Sequence, residues 1–70
     1  MPDSITVIVN GEERQFESGL SLIDLLERLE LDPRGVVVEL NREIVRRPDL
    51  GSTGVTDGDQ IELVHFVGGG

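Results

Sequence analysis

Cysteine, lysine, tryptophan and tyrosine are all missing from this sequence. Without cysteine there is no disulfide scaffold, no Cys-ligated zinc, no thiol nucleophile and no persulfide carried on a side chain. Without lysine there is no amine for a Schiff base or an isopeptide bond. All six basic residues are arginines, against 14 acidic ones, for a formal net charge of −8. That balance argues against nucleic acid and anionic membranes as partners, because no phosphate-neutralising surface is on offer. No apolar run approaches the roughly 20 residues of a membrane span. The start of the chain, Met1-Pro2-Asp3-Ser4, lacks the basic and apolar regions of a secretory signal, so the expected location is the cytoplasm. At 70 residues a single domain is expected. A chain of that size buries only about 60 % of its unfolded surface, which leaves a thin core and little room for an enclosed active site.

What is present suits a folded domain. Val, Leu and Ile supply 9, 9 and 5 residues, a branched-aliphatic content too rich for disorder. Ile5 to Val9 is β-branched, and Asn10-Gly11 separates it from the mixed stretch Arg14 to Phe16. Asn-Gly between two such segments predicts a hairpin, since a type I′ turn needs φ > 0 at both central residues.

Leu22, Leu25, Leu26 and Leu29 then fall at i, i+3, i+4 and i+7, one face of an α-helix. Ser21 and Asp24 have the spacing of a capping box, and Leu20 and Leu25 that of a hydrophobic staple. Asp32-Pro33 is expected to stop the helix after two to three turns, because proline disfavours helical geometry in the residue before it. Strands are expected at Val36 to Leu40, Ile44-Val45 and Gln60 to Phe66, with Asp57-Gly58 as a turn. Arg46 to Thr56, holding Pro48, Gly51 and Gly54, reads as irregular structure. The order β-β-α-β-β-β implies an α+β fold, with one helix on one face of a mixed sheet of four to five strands. It matches the β-grasp layout, with the globular domain over residues 1–66 and a flexible glycine-rich tail over 67–70.

The tail is Val67-Gly68-Gly69-Gly70. A frayed end is the plain interpretation. A functional one is that the carboxylate of Gly70 is the working group. Glycines lack Cβ and can thread a narrow channel. Five extended residues from Phe66 to Gly70 reach about 17 Å, enough to carry a carboxylate into a partner's active site.

Over essentially its whole length the chain resembles the ThiS-type sulfur carriers of thiamin biosynthesis. The resemblance rests on Asn10-Gly11-Glu12, Val38-Glu39-Leu40-Asn41, Ile44-Val45-Arg46, Asp57-Gly58-Asp59-Gln60-Ile61-Glu62 and Gly68-Gly69-Gly70. Leu50 lies near where the family often has an aromatic residue. The resemblance implies a carrier and not an enzyme. A partner activating enzyme would adenylate the Gly70 carboxylate with ATP. Sulfur from a sulfurtransferase or other sulfur donor would displace AMP. The resulting thiocarboxylate would supply thiazole synthase. No cofactor would be bound by the chain itself, and no metal site is expected.

Partner docking follows from strand alternation. If Val7, Val36, Val38, Ile61 and Leu63 face the helix, Ile8, Val37 and Val64 face the other way, and with Phe66 they form a candidate docking patch. The net charge of −8 would also steer the carrier toward basic partner surfaces. Other signals are weaker. Asp57, Asp59 and Glu62 lack the ligand spacing of a calcium loop. Gly51-Ser52-Thr53-Gly54 lacks the lysine of a phosphate loop. His65 is the lone histidine and reads as a strand-end residue. The alternatives are a molybdopterin synthase small-subunit-like carrier, a carrier for cysteine synthesis, a ubiquitin-like protein modifier, and a β-grasp binding module without tail chemistry.

Overall fold

A computed structural model describes residues 3–66. The expected tail, residues 67–70, lies outside the described residues. The elements are β1 (Ser4–Val9), β2 (Glu12–Glu17), α1 (Leu22–Arg28), β3 (Val36–Leu40), β4 (Glu43–Val45) and β5 (Gln60–His65). Short 3-10 turns run over Pro33–Gly35 and Arg47–Ser52. The five strands form one mixed sheet in the order β2-β1-β5-β3-β4. β5 lies in the middle, parallel to β1 and antiparallel to β3. This is the β-grasp arrangement expected from the order of elements.

The first hairpin turns as its chemistry requires. Asn10 and Gly11 both have positive φ, 50° and 83°, and β1 pairs with β2 from Ser4↔Glu17 to Val9↔Glu12. The β3–β4 hairpin repeats the geometry at Asn41 and Arg42, with φ of 52° and 74°. Asparagine enters this region more readily than most residues, and here both carboxamides bond across to the β5 side of the sheet. Arginine has no such excuse, so only the pairing of the two strands keeps Arg42 there.

α1 begins as the spacing predicts. The Ser21 hydroxyl accepts from the Asp24 amide at 3.2 Å, and the Asp24 carboxylate accepts from the Ser21 amide at 3.1 Å. The helix stops earlier than the proline implies. Glu30 takes φ 61°, the Leu31 amide donates to the Leu26 carbonyl at 2.9 Å, and the Glu30 amide donates to the Glu27 carbonyl at 3.0 Å. This is a Schellman closure with glutamate where glycine is usual, and that is why the stop was illegible in the sequence. Pro33 instead opens the following 3-10 turn. Glu30→Gly is expected to raise stability by about 1 kcal/mol through relief of the left-handed strain. It would appear as a higher urea midpoint at unchanged slope. A lower midpoint would contradict this account of the stop.

A seven-residue helix is not stable alone. α1 persists because Leu22, Leu25 and Leu26 bury against Val7, Val9, Val36, Val38, Ile61 and Leu63 from the sheet. Each such side chain contributes about 1.5–3 kcal/mol by leaving water. Leu50 and Val55 complete this core, although the sequence marks Arg46 to Thr56 only as irregular. The segment is strapped onto the helix start by two backbone bonds, Leu22 amide to Thr53 carbonyl and Val55 amide to Leu20 carbonyl, each 2.9 Å.

Candidate functional site

The site is built around the end of β5, the strand that leads to the glycine segment. β1 pairs with β5 only at Ile8↔Gln60 and Val9↔Ile61. Beyond that point a side chain takes over. The Asn10 carboxamide accepts from the Leu63 amide at 2.7 Å and donates to the Leu63 carbonyl at 3.2 Å. It thereby imitates a further residue of the β1 ladder. Asn41 grips β5 from the other side: its Oδ1 accepts from the Gln60 amide at 2.9 Å and its Nδ2 donates to Asp59 at 3.1 Å. Both hairpin turns thus hold the same central strand by their asparagines.

The acidic turn before β5 is structural. Asp57 accepts from the Thr6 amide and Asp59 from the Thr56 amide, each at 2.8 Å. Gly58, at φ 87°, makes the turn. At the far end, the Phe66 amide donates to the Gly35 carbonyl at 2.9 Å, so backbone pairing continues to residue 66. Val67, Gly68, Gly69 and Gly70, the segment assigned to a partner's active site, lie outside the described residues.

The four residues expected to form a docking patch do not all meet. Val37 and Val64 are direct partners across β3 and β5, and Phe66 follows on the same face by the two-residue period. Ile8 lies opposite Gln60, four residues and ~13 Å along β5 from Val64. Between them stands Glu62, opposite Glu39. Two carboxylates facing each other across a ladder repel, and they divide the open face into separate halves. Val64 and Phe66 are 54 % and 60 % exposed, and Ile44, outside the expected patch, is 65 % exposed. The signal for Ile44 lies in the hairpin register: Val45 faces Val38 toward the core, so Ile44 must face outward.

Arginines also gather here. Arg34 comes from the 3-10 turn before β3, and Arg46 and Arg47 follow β4. With Val37, Ile44 and Phe66 they line one groove. Arg34 binds Asp32 at 2.9 and 3.2 Å. Those bonds, the Arg34 backbone amide and the field of Arg47 hold the Asp32 carboxyl down to about 2.

No buried residue among those described is polar or charged, so there is no desolvated acid or base for proton transfer. Nor does any group of three or more His, Asp or Glu among the described residues have the geometry to hold a metal ion. What the arrangement can do is fix the outlet of the central strand beside an apolar and cationic surface.

The ThiS family matches residues 7–70. The chain is 44 % identical over 64 residues to a thiazole synthase of Paramagnetospirillum magneticum, covering 91 % of this chain and 20 % of that protein. It spans about a fifth of the length of the thiazole synthases it matches. It is 38 % identical over 63 residues to the sulfur carrier protein ThiS of Bacillus subtilis, covering 89 % of this chain and 96 % of that one. The crystal structure of the thiamine biosynthesis protein ThiS from Geobacter metallireducens superposes with a TM-score of 0.81 at 35 % identity, over 94 % of this chain and all of that one. The match in sequence from β1 through the glycines, together with this topology, places the chain in the ThiS family.

Proposed function

We propose that this chain is a sulfur carrier of thiamin biosynthesis whose reactive group is the carboxyl of Gly70. The observation that carries the proposal is that the family match extends through Gly70, downstream of a central strand anchored as far as Phe66. A carboxylate is a poor acyl electrophile. Attack of its oxygen on the α-phosphorus of ATP, within an activating enzyme, releases pyrophosphate and leaves an acyl adenylate. A sulfide-level donor then adds to the carbonyl carbon, and AMP departs with the C–O bond electrons. A persulfide from a sulfurtransferase serves equally, provided a thiol afterwards cleaves the S–S bond of the acyl disulfide. The product is a thiocarboxylate, the nucleophile that a thiazole synthase consumes. In this scheme the chain is substrate and carrier; the ATP is bound by its partner.

The absence of cysteine supports this reading, because no side chain on the chain competes with the terminus for sulfur. The test is intact mass. Incubation with activating enzyme, ATP and sulfide should exchange one oxygen for sulfur at Gly70, and a chain lacking Gly69 and Gly70 should show no change. A mass that never shifts, or one that shifts equally in the shortened chain, overturns the proposal. A shortened chain that still performs its role would indicate a binding module instead.

A further inference from the structure

Half of the arginines of this chain meet at the end of the sheet where β5 finishes. The groove they line measures about 530 Å³, and none of its lining residues is acidic. Arg34 is already engaged by Asp32. Arg46 and Arg47 form no ion pair among the described residues and are exposed. The net charge of −8, taken alone, implies a basic partner surface; at this groove the sign is reversed.

The side chains between the cations narrow the choice of occupant. Ile44 and Phe66 are 65 % and 60 % exposed, and Val37 extends the same apolar floor. A phosphate or nucleic acid backbone would satisfy the arginines and leave this floor uncovered. A second copy docking here about a two-fold axis would set arginine against arginine. A protein segment that places carboxylates on either side of an apolar side chain satisfies both features. The groove borders Phe66, the last described residue before Val67 and the glycines, so a partner that receives the tail comes within reach of it. In the matched thiazole synthases, a stretch like this chain shares one polypeptide with the rest of the protein.

We propose that the groove of Arg34, Arg46, Arg47, Val37, Ile44 and Phe66 docks an acidic, apolar-centred segment of the thiazole synthase. The proposal rests on the sulfur-carrier reading above. Bidentate arginine–carboxylate pairs would set register, and the apolar contact would exclude water around them.

The test is titration calorimetry of the full 70-residue chain against the thiazole synthase of the same organism. R46E/R47E should weaken binding by about tenfold or more, and R46K/R47K by clearly less, since charge is kept and only the fork geometry is lost. Glu13→Gln, on the distant β2 edge, should bind as the wild type does. An R46E/R47E chain that binds undiminished, or a wild type that does not bind at all, overturns the proposal. So does a short DNA duplex that displaces the synthase from the wild type, because the groove would then be a polyanion site. The mass assay keeps the two readings apart. If the chain gains sulfur normally while its affinity ignores R46E/R47E, only the groove assignment fails. If no sulfur is gained, the carrier reading itself fails.

Discussion

Replacing Leu50 by alanine is expected to cost about 2–5 kcal/mol, from lost transfer energy plus the cavity left behind. Leu50 is 1 % exposed and belongs to the main core cluster. It sits on a 3-10 turn that packs against α1 and not on a regular strand or helix. The site has little freedom to collapse, because Val55 and Leu22 of the same core cluster are held by backbone bonds to Leu20 and Thr53. For a domain of this size the total stability is of order 3.5–10 kcal/mol, so a large fraction would be lost. At about 4–8 °C per kcal/mol, the melting temperature should fall by about 8 °C or more. Leu50→Met, which keeps the volume, should cost less than about 1.5 kcal/mol. Differential scanning calorimetry of both variants checks the claim. If Leu50→Ala melts with the wild type, the segment is not part of the cooperative core.

The second large effect is expected at Asn10. Asn10→Gly keeps the positive φ of the turn while deleting the carboxamide, so it isolates the bonds to Leu63 from turn strain. Leu63 is only 7 % exposed, and its backbone N–H and C=O would both lose their partner. Unpaired buried groups cost about 1–3 kcal/mol each, so a loss of roughly 2 kcal/mol or more is expected in urea unfolding. The consequence reaches further than stability. Amide hydrogen exchange at Leu63 and Val64 should accelerate more than at β2, because β5 loses its grip on the β1 side there. Uniform acceleration across the sheet would mean that Asn10 contributes only to global stability. Arg14 pairs in register with Val7 and has no part in this clamp, so Arg14→Gln serves as the control.

Both predictions concern features for which the sequence offered a partial signal. Asn10-Gly11 announced a turn, and the turn is there. That its amide would bond a residue 53 positions away was not available from any local pattern. The helix start at Ser21 and Asp24 was legible because a capping box is complete within four residues. The helix end was not, because glutamate occupies a position that glycine usually signals. The alternation in β3 and β5 correctly put Val37 and Val64 on the open face. It could not say that Ile8 would lie near the other end of β5, since that depends on where β1 and β5 pair. The core positions of Leu50 and Val55 are not legible in the sequence because a 3-10 turn and an extended loop have neither the two-residue nor the 3.6-residue period by which core positions are recognised.

Absence gave the sequence much of its reach. A chain with no cysteine, no lysine and a thin core has few ways to do chemistry on a side chain, and the glycine segment stands out as a working group only beside the β-grasp order of elements. Periodicity and turn chemistry, which act within a few residues, determined the strands, the helix and their order. Tertiary structure alone decided which residues share a surface: Arg34 is distant in sequence from the adjacent Arg46 and Arg47 and meets them only because the start of β3 lies beside the ends of β4 and β5. It also decided that a strongly acidic molecule carries a cationic groove beside its outlet. Net charge is a sum over the chain, whereas a partner meets the charges that pairing and register bring to one place.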